Sequence, residues 1–340
     1  LFISCGTKNK EYANNVFPYS QFPQEKELKG EVIELDTALF RYPFRIRIEG
    51  DKAIVLDLHG SDYYGHLFQY PSFRYLSSFG RRGDSPLEML SMENFRLHNH
   101  TLWTLDANKS ELTRLDFSSS GDSLLREETV ALDEDILRPL DFAIYNDTTF
   151  VIPDYSGESR FLKVDCKGKL IEKIGTIPTT NKKALQEARP ALAQAWRSFL
   201  DYNSHNSVLA TVTQLGEVVE IYNLKDSTHV IRVGEYDEPE FKVSDGYGIP
   251  TGIMGFSDVQ VTDDAIYAVF HGTSFKDIAR QSGRLSDGGK YIYVFSLKGE
   301  PLCKYVLDHY IYGIWVDEAT KTIMATDVNS DQPILKFDFG

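Results

Sequence analysis

Apolar and polar positions follow one pattern that returns about six times along the chain. Each copy has an apolar strand, a tight polar turn and a second apolar strand that often ends on Asp. Successive copies lie roughly 48 to 59 residues apart, the spacing of four-stranded propeller blades with loop insertions. The pattern predicts an all-β fold, a six-bladed β-propeller. The predicted second strands are Ile54–Asp57, Leu102–Asp106, Phe150–Asp154, Val208–Val212, Tyr267–His271 and Ile323–Asp327.

The first copy shows the blade most clearly. Residues 44–48 alternate apolar and polar, as a half-buried strand does, and the polar turn 49–51 follows. Residues 53–56 form the return strand, and two further strand patterns cover residues 66–70 and 73–79. Four strands joined by short links are the pattern of one blade.

The sixth copy is one strand short of a complete blade. Its third strand is predicted at Ile334 to Phe339, while an unpartnered strand pattern, Glu31 to Leu35, precedes the first copy. Pairing this N-terminal strand with the last blade closes the ring and removes an open sheet edge. We therefore predict that residues 31–340 form a propeller closed by the N-terminal strand.

Two insertions interrupt the repeat. Residues 181–199 carry apolar side chains at helical spacing, which predicts a helical insertion between blades three and four, broken at Pro190. Residues 272–290 separate the second and third strands of blade five. Both connections emerge on the same face of a propeller, and binding usually concentrates on loops held by a rigid scaffold. We expect the binding site on that face.

Composition narrows the function classes. The formal net charge is −14, which argues against general nucleic-acid binding because such proteins need a basic surface. Hydrophobic residues make up 42% of the chain, enough for a globular core. No apolar run approaches the roughly 18 residues that span a membrane.

The first residues suggest a membrane anchor of another kind. Residues 1–5 (Leu-Phe-Ile-Ser-Cys) are similar to a bacterial lipobox, in which the cysteine becomes the lipidated N-terminus. A polar stretch follows Cys5 at once and suits a linker, so we assign residues 1–30 to a lipobox remnant and tether. This predicts a signal peptide and a lipid-anchored protein of the cell envelope, periplasmic or surface-exposed. The alternative is a buried strand that contains a cysteine.

Polar side chains recur where the second strands end. One interpretation is a ring of acids and a histidine around the channel mouth that binds a cation or a polar ligand. The other is that each Asp caps its own loop by accepting backbone N–H groups. The residues of this column are Asp106, Asp154, His271 and Asp327, and Val212 and Leu58 interrupt it.

Three arginines precede first strands and are also candidates for the channel mouth. Arg41, Arg138 and Arg197 together suit an anionic ligand. Salt bridges to the aspartates of the column explain them equally well.

Recognisable catalytic motifs are absent. The sequence has no G-x-S-x-G elbow, P-loop or H-E-x-x-H helix, so no catalytic residue is assigned. Cys166 and Cys303 fall in different blades and are expected to be free thiols. The favoured function is a non-enzymatic binding or scaffold protein without a cofactor, with a protein, peptide or glycan partner at the envelope. The alternative is a metal-dependent lactonase or glycan hydrolase, with Ca²⁺ held at the channel mouth.

Several local features together resemble a known family. They are the Cys5 tether, the link Gly80 to Glu88, the strand Leu102 to Asp106, and the ending from Ile314-Trp315 to Lys336-Phe337. The set is similar to the TolB-like six-bladed propeller lipoproteins of Bacteroidetes over residues 31–340. The resemblance implies a secreted, membrane-anchored propeller and carries over no catalytic residues.

Overall fold

The computed structural model describes residues 13–36, 40–281 and 285–340. These residues form six antiparallel four-stranded blades, two of which carry a fifth strand, together with one separate hairpin. The first strands of successive blades contact one another around the centre. The predicted all-β, six-bladed propeller is confirmed.

The strands fall into an N-terminal set and six blades. The N-terminal set is β1 (Val16–Pro18), β2 (Gln24–Leu28) and β3 (Glu31–Ile33). Blades one to three are β4–β7 (Pro43–Glu49, Lys52–Asp57, Tyr63–Gln69, Arg74–Arg81), β8–β11 (Met92–His98, Thr101–Asp106, Glu111–Phe117, Leu124–Ala131) and β12–β15 (Ala143–Asn146, Thr149–Pro153, Phe161–Asp165, Leu170–Ile174). Blade four is β16–β19 (Ser198–Asn203, Val208–Thr213, Val218–Asn223, Thr228–Val233), and the hairpin β20–β21 (Phe241–Ser244, Tyr247–Pro250) follows. Blades five and six are β22–β25 (Phe256–Val261, Ala265–Phe270, Gly289–Ser296, Pro301–Ile311) and β26–β28 (Ile314–Asp317, Thr322–Thr326, Ile334–Asp338).

The second strands are the most deeply buried elements. Every residue of β13, β17, β23 and β27 is buried, and only the first residue of β5 and β9 is partly exposed. A second strand is covered by the neighbouring blade on each side, so both of its faces need apolar side chains. This burial explains why the six second strands gave the clearest signal in the sequence.

The ring closes as the repeat predicts. Strand β3 pairs antiparallel with β28, with Val32 opposite Leu335, and completes the sixth blade. Strand β3 from the beginning of the chain and β28 from its end therefore share one sheet, and blade six has its four strands.

The propeller begins earlier than residue 31. Strand β1 pairs in parallel with β19 of blade four, and β2 pairs in parallel with β25 of blade five. Residues 16–28, which the sequence assigned to a tether, therefore lie along the outer edges of two blades. Cys5 and the rest of residues 1–12 lie outside the described residues, so the predicted lipidation stays a prediction.

The helical insertion has the break that Pro190 predicts. Helix α1 (Lys182–Glu187) begins at Asn181, whose side chain accepts the backbone N–H of Ala184, and α2 (Arg189–Ala195) has Pro190 in its first turn. Ala184, Leu192 and Trp196 pack on Val218 of blade four. Helix α3 (Phe275–Arg280) lies in the second insertion. No helix in the described part of the chain is long and apolar enough to cross a membrane.

The cysteines in the described residues are unpaired. Cys303 is buried in blade five and Cys166 is partly exposed in blade three. This agrees with the free thiols that the sequence predicts.

Candidate functional site

Three insertions emerge on one side of the propeller and form a single layer. We call the side that carries α1, α2, α3 and the β20–β21 hairpin the insertion-bearing face. The backbone N–H of Gly248 in the hairpin donates to Gln194 of α2 over 2.7 Å, and Ile253 pairs with Ser274 at the start of α3. The hydroxyl of Thr179 also donates to Glu238 over 2.5 Å. These contacts hold the insertions against each other.

The central channel is closed beneath this face. Phe44 of blade one and Phe199 of the opposite blade four have ring centroids 5.8 Å apart. The guanidinium of Arg45 lies 4.2 and 4.3 Å from these two ring centroids. A ligand therefore meets the face of the propeller and not an open channel.

Buried ion pairs lie in the channel below the aromatic rings, and a cavity of about 270 Å³ lined by Arg47, Arg96 and Asp201 lies at the opposite end of the channel. Arg45 and Arg47 reach across to Asp258 of blade five at 3.3 and 3.0 Å, and Arg96 reaches Asp141 at 2.7 Å. All five side chains are buried. Removing one partner would leave an uncompensated buried charge, so these pairs are structural. The Asp258 pairs join blades one and five, which are not neighbours, and the Arg96–Asp141 pair joins the adjacent blades two and three.

The aspartates at the ends of the second strands bind backbone N–H groups of their own loops and, in blades one and two, of the connection that precedes the blade. Asp106 accepts from Leu90, Ser91, Asn108 and Lys109 at 2.7–3.2 Å. Asp154 accepts from Ser156 and Ser159, both at 2.8 Å, and Asp327 accepts from Asn329 at 2.8 Å. Asp57, which the sequence analysis left out of the column, accepts from Arg41, Tyr42 and His59. The contacts are those of the capping interpretation.

His271 lies in the same column but makes no bond of this kind. It is 9% exposed, and its ring meets that of Tyr312 edge to face at 5.4 Å. Its Nε2 has no hydrogen-bond partner among the residues that the structure describes. Burial lowers the pKa of His271 to about 4, so the ring is neutral at pH 7. Among the described residues, no group of three or more His, Cys, Asp or Glu side chains is placed to hold a metal ion. The predicted metal-ligand set of Asp106, Asp154, His271 and Asp327 is therefore not assembled.

Two of the three predicted arginines meet in one cavity of about 180 Å³ on the insertion-bearing face. We call it the Arg138–Arg197 pocket. Arg41 is exposed and is not part of its lining. The connections after blades two, three and four and the inner loop of blade three all contribute to the pocket. Its lining residues are Arg138, Leu140, Tyr155, Pro190, Gln194, Arg197, Gly246 and Tyr247.

Local sequence features place the walls of the pocket. Asp154 fixes the loop that follows it, and this loop presents Tyr155. Asp245 and Gly246 have φ of 50° and 82°, as the two central residues of a tight hairpin turn require, and this turn brings Tyr247 to the pocket. A Cβ at Gly248 would lie 2.3 Å from the carbonyl oxygen of Ala191, so only glycine lets the hairpin approach α2 this closely.

The pocket presents hydrogen-bond donors and positive charge. Within the described part of the chain, no carboxylate lies within 4.0 Å of Arg138 or Arg197. The Nε–H of Arg197 and the O–H of Tyr155 are buried and have no acceptor among the residues that the structure describes, although the backbone N–H of Ser198 is close to the Tyr155 oxygen. Burial, and then the nearby Asp141 carboxylate, raise the pKa of Tyr155, so its hydroxyl keeps its proton. This arrangement suits an anion.

Sequence reasoning found two arginines of the pocket and missed the other members. Tyr155 and Gln194 stand in no recognisable motif, and only the fold brings them to the arginines. The hairpin does have a sequence signal, since Asp245-Gly246 lies between two short apolar segments. That signal would have placed Tyr247 on an exposed turn of the predicted face.

Comparisons with known proteins agree with the fold. A family profile described as TolB-like 6-blade propeller-like matches residues 21–319. No curated protein matches the sequence. A Bacteroides fragilis protein described as exported superposes with a TM-score of 0.58 at 12% identity, covering 95% of this chain and 98% of its own. An auxiliary nutrient binding protein of Bacteroides ovatus has a TM-score of 0.54 at 10% identity, covering 88% and 69% respectively. A Bacteroides vulgatus member of the DUF4221 family has a TM-score of 0.55 at 10% identity, covering 92% and 95%.

Proposed function

Because the chain belongs to the TolB-like six-bladed propeller family, we propose that it is a non-enzymatic binding protein of the cell envelope. Its insertion-bearing face engages a polypeptide partner. The family and the fold carry no activity of their own, so the proposal depends on the chemistry of this face.

The distribution of exposed apolar side chains supports this face most strongly. Contiguous apolar exposure marks interaction sites in folded proteins. Of fifteen exposed large apolar side chains in the described residues, nine lie in connections on the insertion-bearing face. They are Leu87, Leu90, Leu137, Tyr236, Val243, Tyr247, Ile249, Ile278 and Leu285.

The chemistry of this surface favours a polypeptide over a glycan. Seven of the nine side chains are aliphatic, and only Tyr236 and Tyr247 are aromatic. Aliphatic side chains gain free energy by burying apolar area, which peptide side chains offer and the largely hydroxylated surface of a sugar does not. A glycan is the competing ligand, and binding of sugar oligomers without peptide binding would favour it.

A lipid anchor at Cys5 places the protein at the envelope. The cysteine and the polar stretch after it support this part of the proposal, as do fold relatives described as exported and as nutrient binding. We expect Cys5→Ser to move the expressed protein from the membrane fraction to the soluble fraction. Mass spectrometry of the N-terminal peptide should find the diacylglycerol adduct in the original protein. An unmodified Cys5 in membrane-extracted protein would contradict the anchor.

Selection from a random peptide library displayed on phage tests the binding face. We expect enriched peptides to bind about tenfold more weakly to Ile249→Ser, because this variant lacks the exposed apolar side chain that would contact the peptide. Ile171→Ser is the matched control, since Ile171 is equally exposed but lies on the outer strand of blade three. Failure to enrich any peptide, or equal losses for both variants, would contradict the proposal.

A further inference from the structure

We propose that the Arg138–Arg197 pocket recognises a carboxylate of the partner peptide, from an Asp or Glu side chain or the C-terminus. This inference rests on the proposed function and names the group that the insertion-bearing face selects. It assigns the pocket a role as the specificity site within a mostly apolar contact surface.

Unsatisfied donors in the pocket call for an acceptor. In the described part of the chain, the O–H of Tyr155 and the Nε–H of Arg197 are buried without an acceptor. A buried donor that loses its bond to water costs free energy, and the cost is recovered when an acceptor arrives. A carboxylate has two oxygens and about four lone-pair sites, so it accepts from a guanidinium and a phenol together.

The charges around the pocket favour an anion over a neutral acceptor. Two guanidinium groups line it, and no carboxylate in the described residues lies within 4.0 Å of either. The buried arginines elsewhere in the propeller differ, because Arg47 and Arg96 in the channel and Arg160 between blades three and four each have a carboxylate partner. Arg138 and Arg197 therefore keep a positive charge that no carboxylate of the described residues neutralises at contact distance. Guanidinium–carboxylate hydrogen bonds are among the strongest that proteins use for recognition.

The size and walls of the pocket suit one acidic residue. About 180 Å³ is too small for a folded element and sufficient for a single side chain. Leu140, Pro190 and Tyr247 provide apolar walls for the methylene groups behind a carboxylate. Val243 and Ile249 of the same hairpin are exposed beside it and would contact the neighbouring peptide residues. A peptide with an acidic residue next to apolar residues matches this surface.

The experiment uses the library-selected peptides in matched pairs. Each peptide is synthesised with its acidic residue and with Gln or Asn instead, and with a free or an amidated C-terminus. Affinity is measured by fluorescence polarisation on the full chain. We expect the neutral versions to bind at least about tenfold more weakly. Arg138→Gln and Arg197→Gln should remove this difference, while Arg280→Gln, on exposed α3 of the same face, should preserve it.

Two further variants separate recognition from folding. Arg138 is exposed, so Arg138→Gln should leave the thermal unfolding midpoint unchanged and still lose the discrimination. Tyr155→Phe removes only the hydroxyl. It should weaken binding of the acidic peptide severalfold and leave the affinity for the neutral peptide unchanged.

The outcomes distinguish this inference from the proposed function. Peptides that need Ile249 but bind equally in acidic and neutral form would overturn the carboxylate site and leave the binding face intact. Absence of any peptide binding would overturn both. Galacturonate oligomers or inorganic phosphate that bind in an Arg197-dependent manner, without peptide binding, would overturn the peptide as the source of the anion.

Discussion

Asp106 shows why an acidic residue recurs at the ends of the second strands. Its carboxylate accepts four backbone N–H groups from two loops, and Asp57 accepts three in the equivalent place of blade one. These loops carry the insertion-bearing face, so each Asp positions the surface without contacting a ligand itself. Asp154 serves in this way when it fixes the loop of Tyr155.

Replacing Asp106 by Ala should destabilise the protein. The change leaves four N–H groups without their acceptor, and we expect a loss of about 2 kcal/mol in the free energy of unfolding. Urea unfolding measures it. Asp331→Ala is the control, because Asp331 is exposed and accepts no backbone N–H group among the described residues. Equal stability of the two variants would contradict the capping role.

Two buried histidines predict a loss of stability in mild acid. Burial lowers the pKa of both His66 and His271 to about 4, from the model-peptide value of 6.5. Above pH 6.5 both states are neutral; as the pH falls, the unfolded chain takes up protons that the folded protein resists. Stability should therefore be full above pH 6.5 and fall until about pH 4, by about 3 kcal/mol for each histidine.

Urea unfolding at pH 7 and pH 5 measures this effect. His271→Gln and His66→Gln should each be less pH-dependent than the original protein, because glutamine does not titrate. An unchanged pH dependence in both variants would show that these side chains are solvated and protonated in the folded state.

At the scale of elements, the N-terminal segment fastens two blades together. Between β1 and β2 the chain crosses from blade four to blade five, and Tyr19 and Phe22 pack on Phe295 with centroids 5.4 and 5.5 Å apart. The hydroxyl of Tyr19 also donates to the buried Glu217 over 2.8 Å. The side chains of this crossing cover the gap between blades four and five.

Phe22→Ala tests the crossing. We expect a loss of about 1–3 kcal/mol in the free energy of unfolding, because the aromatic contacts with Tyr293 and Phe295 disappear. Phe17→Ala in the same segment is the matched control and should cost less, since Phe17 is 43% exposed. Thermal or urea unfolding compares the two. Equal costs would indicate that the segment is held by its backbone pairing alone.

The elements also show what the sequence predicts and what it hides. Second strands such as β17 are buried on both faces, and Pro190 cannot continue a helix, so both were predictable. Strand β2 is Gln-Glu-Lys-Glu-Leu with only Leu28 buried, because a fifth strand lies at the outer edge of a blade. Its backbone pairs with β25, but its side chains carry no apolar pattern. An edge strand of this kind is invisible to hydrophobic periodicity.

The candidate site likewise contains residues that the sequence predicts and residues that it does not. Arg138 and Arg197 were found because they recur before first strands, whereas Tyr155 reaches them only through the packing of blade three against α2. Hydrophobic periodicity reports which side chains are buried, and it does not report which loops from different blades meet.

At the scale of the whole molecule, the closed channel and the joined insertions direct binding to one face. Opposite blades meet through Phe44 and Phe199 at the mouth of the channel on this face, and buried ion pairs lie beneath them. The rigid ring holds the insertions, and the connections on this face present exposed apolar side chains and a small positive pocket. The protein as a whole has a net charge of −14 and repels acidic peptides. Selectivity for such peptides must therefore come from the positive charge of this pocket.

Hydrogen exchange with a library-selected acidic peptide tests this account most directly. Backbone amides of α2 (Arg189–Ala195) and of the hairpin residues 241–250 should exchange more slowly when the peptide is bound. The turns at residues 49–52 and 203–208, on the opposite face, should be unchanged. Protection at those turns or along β1 and β2, with the hairpin unaffected, would contradict the assignment of the insertion-bearing face.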